Sequence, residues 1–130
     1  NFLASADVPI PMVATRDLGR FAAEAMVAPA QGCEIIDVFG PAYSIRHVAR
    51  ALGVALGKEL QVVDIPPAGQ SEALMEAGIP RAIADAIAEM FGAFNAGLIK
   101  PQGDRSLVGT TSIDDVIAQH VQRRDAGVVR

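Results

Sequence analysis

The turn at Gly40 is where this chain could hold a nucleotide. Residues 35–56 read IIDVFGPAYSIRHVARALGVAL: an apolar run, a Gly-Pro break, then Ser44 ahead of apolar residues at Ile45, Val48, Ala49, Leu52 and Leu56. A strand, tight turn and helix in that order can seat a pyrophosphate on the helix N-terminus, provided G-x-G-x-x-G brings the backbone close. The six residues from Gly40 are G-P-A-Y-S-I, with one glycine of the three and a proline where a backbone donor is wanted. Asp64 ends the next apolar run, near where a ribose-binding acid would lie, but the turn itself lacks the means to grip phosphate. The plain reading is a β-α-β crossover with no cofactor-binding residue.

The remaining reactive side chains are scattered. Tyr43 has His47 four positions on, where a lysine would be needed to lower the phenol pKa for proton transfer. His47 and His120 lie on different helices with no acid or thiol pattern suited to a metal. Asp114 and Asp115 stand at a helix start, where capping and the helix dipole account for them. Ser44, Ser71, Ser106 and Ser112 lack a nucleophile-elbow context. Met90, Phe91 and Phe94 could line an apolar cleft or be the inner stripe of a helix. The sequence holds no complete catalytic constellation, no metal set and no cofactor loop.

Composition narrows the partners. Fifteen acids against eleven bases give a net charge of −4 without a basic run, which argues against nucleic acid. Cys33, the single cysteine, excludes an internal disulfide and reads as a buried, inert thiol in a reducing compartment. No leader opens the chain and no apolar run reaches the ~18 residues of a membrane span, so a cytoplasmic setting is expected. Asn1 in place of Met points to a processed chain or a piece of a longer one. At 130 residues one domain should bury roughly two-thirds of its unfolded surface. A mean hydropathy of +0.31 is high for a small monomer and suggests surface meant for a partner.

The elements that must position these residues follow from local signals. Pro9 and Pro11 force extended backbone before Thr15, which reads as the cap of a helix with Asp17 in its first turn. Leu18, Phe21, Ala22, Ala25 and Met26 form its apolar face, and Pro29 and Gly32 end it. A strand over about 33–38 and a helix over about 45–56, closed by Gly57, precede a second apolar strand, ELQVVDIP. Helices follow at about 70–77 and from Pro80 to about Leu98, the latter striped by Ile83, Ile87, Met90, Phe91, Phe94 and Leu98. KPQGDRSLVGTT reads as a polar connection, and Ser112 with Asp115 opens a last helix to about Arg123, ahead of a frayed tail. The expected fold is α/β, with a small, at least partly parallel sheet of two or three strands and about five helices.

This order of segments resembles the C-terminal half of NmrA-like proteins, atypical short-chain dehydrogenase/reductase relatives that bind NAD(P). The resemblance rests on Val13-Ala14-Thr15-Arg16-Asp17, the strand ending in Gly40-Pro41, and the helix closed by Leu56-Gly57. It continues through Gly78-Ile79-Pro80, Gly97 with Asp104, and the final cap in TTSIDDVIAQHV, spanning nearly all of residues 1–130 as a single domain. It implies that the dinucleotide loop belongs to a separate N-terminal half, so NAD(P) would be held by a full-length parent and not by this chain. It also implies a substrate- or partner-binding role, with a cleft for an aromatic or quinone-like ligand near Pro9–Met12 and the long helix, lined by Met12, Met90, Phe91 and Phe94. Three functions are therefore open: a non-catalytic ligand- or partner-binding domain that self-associates as a homo-oligomer; part of an NAD(P)-dependent quinone- or azo-type oxidoreductase; and a small self-associating interaction protein without a ligand.

Overall fold

A computed structural model describes residues 1–29, 32–125 and 127. The chain is α/β; the described residues form five helices and two small sheets, one antiparallel and one parallel. In order the elements are β1 (Ile10–Pro11), α1 (Thr15–Val27), β2 (Ile36–Phe39), β3 (Ala42–Tyr43), α2 (Ile45–Leu56), α3 (Pro67–Glu76), α4 (Arg81–Asn95), β4 (Arg105–Val108) and α5 (Ile113–Asp125). β1 and β3 pair antiparallel, Ile10 opposite Tyr43, and β2 and β4 pair parallel, from Ile36 opposite Arg105 to Phe39 opposite Val108. Among the described residues no helix is long and apolar enough to cross a membrane.

Where local chemistry decides, structure follows pattern. Ser44 Oγ accepts from His47 N at 3.1 Å and caps α2, and Lys58 N donates to Gly53 O at 2.9 Å beyond the left-handed Gly57 that ends it. Ser112 Oγ accepts from Asp115 N at 3.1 Å and caps α5, while the Asp115 carboxylate takes the Ser112 hydroxyl at 2.7 Å, so the shorter aspartate holds the cap through the hydroxyl. α4 stops at Asn95, before Leu98, because Gly97 takes φ 68° and turns the chain out of the helix.

Tertiary context corrects several expectations. The ELQVVDIP segment forms no strand; the parallel partner of β2 is β4, drawn from the segment that reads as a polar connection. The crossover from β2 therefore carries α2, α3 and α4 rather than one helix. α3 starts at Pro67, three residues earlier than expected, because a proline suits the first helical position. Ala14, not Thr15, is the N-cap of α1, and it offers no side-chain cap. Cys33 is exposed, since β2 begins only at Ile36 and leaves it in the preceding loop.

The core is thin. Among the described residues the buried apolar side chains are Ala6, Phe21 and Ala84, and as many polar ones, Asp17, Gln70 and Thr111, are buried with them. Gln70 Nε2 donates to Phe2 O at 3.1 Å and Ile65 O at 3.3 Å, tying the N-terminal segment to α3. On α1 only Phe21 of the expected face is buried, while Leu18 and Met26 face solvent. The accessible surface is 9297 Å². A compact monomer of 13.6 kDa exposes roughly 6,600 Å², and the unfolded chain about 20,000 Å², so this chain buries only about half.

Gly40 turns out to be a packing requirement. A Cβ there would lie 2.1 Å from Met12 O and 2.7 Å from Val13 Cα, where the two chain segments cross. Gly40→Ala should lower unfolding free energy by at least about 1–3 kcal/mol in denaturant titrations. Gly19→Ala, in an α1 site with open space around it, should instead stabilise by roughly 0.5–1 kcal/mol.

Candidate functional site

The apolar region expected to form a cleft is divided by the fold. Phe94, at the end of α4, joins Leu3, Ala4, Val8, Ile10 and Asn95 around a cavity of about 130 Å³. Asn95 holds this wall in place: its Oδ1 accepts from Ala4 N at 2.9 Å and its Nδ2 donates to Phe2 O at 3.0 Å. Met12, Met90 and Phe91 do not line the cavity. Met12 N donates to Pro41 O at 3.0 Å in the crossing beside Gly40. Phe91 stands edge-on to Phe2, ring centroids 5.3 Å apart, and Met90 points outward, 50% exposed.

The reason is a rotation of α4. Its most buried residue is Ala84, with Ile87, Ala88 and Phe91 half-buried on the same side, where Phe91 meets Phe2. Ile83, Met90 and Phe94 lie a step around the helix, and all three remain exposed, as does Leu98 beyond the helix end. Alanines let the helices approach closely, so the larger side chains are turned out. A cavity of this size suits a single ring at most, below the usual few hundred Å³ of a ligand site.

A second constellation joins α2 to α5. His47 Nε2 lies 3.4 Å from Asp114 Oδ2, and Arg50 Nη2 lies 3.2 Å from His47 Nδ1. The Tyr43 hydroxyl accepts from Ile113 N at 3.2 Å, and its ring sits 5.0 Å from that of His47. His47, Arg50 and Asp114 border a cavity of about 380 Å³, with Val54 of α2 and Ile117 and Ala118 of α5 also in its lining. A carboxylate can orient an imidazole for proton transfer, yet among the described residues no hydroxyl or thiol hydrogen-bonds the His47 ring, whose partners are Asp114 and Arg50. Its evident work is docking α5 onto α2. Spacing gave no sign of this pair, because 67 residues separate the partners.

Asp17 is the other acid whose place sequence reading missed. In the first turn of α1 it points inward, 7% exposed, and accepts from Thr111 N at 2.9 Å. That N–H holds its carboxyl below the usual range near 3.8; burial opposes the shift, while the Thr111 hydroxyl, Arg20 and Arg16 add to it. Arg16 Nε donates to Thr111 Oγ1 at 2.9 Å and closes the network. The arrangement joins α1 to the β4–α5 connection and exposes no reactive edge. Among the described residues no group of three or more His, Cys, Asp or Glu is placed to share a metal ion.

Two measurements check these assignments. Phe91→Ala should cost roughly 2–3 kcal/mol, part of the range for a fully buried phenylalanine, and Phe94→Ala under about 1.5 kcal/mol. Thermal melting of both variants, read beside binding of a small aromatic probe, separates the packing ring from the exposed one. Because the Asp17 carboxyl is held low in the fold, its stabilisation is complete above pH ~4 and is lost as pH falls through the lower folded value. Asp17→Asn should therefore be less stable than the parent at pH 6, and the gap should shrink toward pH 2.5.

Searches of family models, of curated proteins and of solved structures each return no match to this chain.

Proposed function

We propose that this chain is a non-catalytic partner- or ligand-binding domain of the kind that makes up the C-terminal half of NmrA-like proteins, and that it self-associates. The observation that carries the reading is the uncovered surface. The chain exposes 9297 Å², roughly 2,700 Å² more than a compact monomer of its mass. Much of it is apolar: Met26, Val27, Val54, Val63, Leu98 and Val108 are each more than 60% exposed. Soluble monomers rarely leave apolar surface of this extent uncovered, and a stable interface needs about 800 Å² from each partner. The small cavity beside Phe94 leaves room for a single aromatic or quinone-like ring as a secondary role. The cytoplasmic setting belongs to the same reading, since a reducing compartment keeps the exposed Cys33 a thiol.

One observation favours the oxidoreductase reading as a second. Among the described residues the parallel pair β2–β4 has no further strand beside it, whereas parallel strands are normally interior to a larger sheet covered on both faces. A Rossmann-type region carrying the NAD(P) site would supply such a sheet, and the chemistry would then belong to that region.

Light scattering at rising concentration should give a mass of at least twice 13.6 kDa. A clean monomer at high concentration would remove self-association. Titrating NADPH into the chain should show no saturable binding; micromolar affinity would overturn the non-catalytic reading.

A further inference from the structure

We infer that the groove between α2 and the segment Glu59–Val62 is a docking site for an extended, acidic peptide segment of a partner protein, taken up by strand addition. The inference rests on the partner-binding reading and names the partner's chemistry.

The groove begins where the chain leaves α2. Lys58 packs its backbone against the helix at Gly53, where a Cβ would lie 2.6 Å from Lys58 O. From Glu59 to Pro66 the chain runs without turn or bend, and between it and α2 opens a groove of about 730 Å³. Such a space lies within the range of natural ligand clefts, and five residues of strand span about 17 Å.

The segment is ready for a strand. Among the described residues, the backbone groups of Glu59, Leu60, Gln61 and Val62 make no hydrogen bond. Just downstream the pairing has begun: the Asn1 amino group donates to Val63 O, and Ile65 N donates to Asn1 O at 3.0 Å. One residue bonded to both flanks of Asp64 is the unit of a parallel ladder. Asn1 thus makes one parallel bridge around Asp64, which shows that the backbone of this stretch can take a strand-type partner.

Charge selects the occupant. Arg46, Arg50 and Lys58 line the groove against one acid, Glu59, in a chain whose net charge is −4. Arg46 is held by Asp7, with contacts of 2.7 and 3.3 Å. Among the described residues no carboxylate lies within salt-bridge distance of Arg50 or Lys58. Val54 and Leu60, 80% and 38% exposed, supply an apolar seat between those charges. A strand presents alternate side chains to opposite sides, so a peptide alternating acidic and apolar residues satisfies backbone, cations and apolar seat together.

The test uses the intact chain and a fluorescein-labelled peptide, Glu-Val-Glu-Val-Glu-Val, followed by anisotropy at low ionic strength. Saturable binding is expected, weakening as salt is raised. The Lys-for-Glu peptide should not bind. N-methylation of alternate peptide amides keeps every charge but removes the ladder donors, and should weaken binding at least tenfold. Arg50→Glu with Lys58→Glu should also weaken it at least tenfold, while Lys100→Glu, outside the groove, should change it less than twofold. Equal affinity for the N-methylated peptide would mean charge attraction alone and would overturn strand addition, as would the absence of saturable binding. Light scattering on the same samples keeps the outcomes apart: an oligomer that ignores the peptide sinks this inference and leaves the proposed function standing.

Discussion

A carboxylate buried at the start of α1 holds the two ends of this chain together. Asp17 receives the Thr111 amide at 2.9 Å, and Thr111 leads directly from β4 into α5. Gly109 makes room for it, since a Cβ there would stand 2.6 Å from the Asp17 carboxylate. Its own amide donates to Phe39 O at 2.7 Å, so the last bond beyond the β2–β4 pair and the α1 anchor share one short stretch. With so few buried apolar side chains, such directed polar bonds fix relative positions that a larger core would fix by packing alone.

Legibility in the sequence divides along the same line. The caps at Ser44, Gly57 and Ser112 are decided by residues within one helical turn, and those α-helix ends are where the pattern puts them. β4 could not be read: Arg105-Ser106-Leu107-Val108 is four residues long in polar surroundings, and only pairing with β2 makes it a strand. Residues 59–66 carry the stronger strand signal but lack the partner that would realise it. Asp17 was legible as a residue at a helix start, yet its burial depends on a segment 94 residues away. The candidate sites show the same limit. Met90, Phe91 and Phe94 are near neighbours in sequence, but the rotation of α4 sends only Phe94 to the cavity. The His47–Asp114 contact joins helices whose packing no local rule dictates.

The distribution of apolar surface and the distribution of charge describe different needs. Exposed valines, leucines and methionines on α1, α2 and the chain after α4 call for broad coverage, which a second copy or a larger sheet can supply. The groove beside α2 is narrower and chemically particular, with Arg50 and Lys58, neither of them salt-bridged to a carboxylate among the described residues, set next to backbone without hydrogen bonds there. Coverage of the first kind stabilises the domain, and occupancy of the second kind discriminates among partners.

The pairing of β2 with β4 also sets a timetable. Ile35 and Asp104, which lead into the two strands, bond across 69 residues, and three helices are made between them. At about 5–20 residues per second of synthesis, β4 follows β2 out of the ribosome by roughly 3–14 s. Throughout that interval β2 has no parallel partner, and Ile36, Val38 and Phe39 stand as an open template for any other strand nearby. The helical hairpin of α3 and α4, built from local contacts, can form and dock well before then. Assembly of this chain is thus ordered by distance along the sequence, helices first and the only parallel sheet among the described residues last.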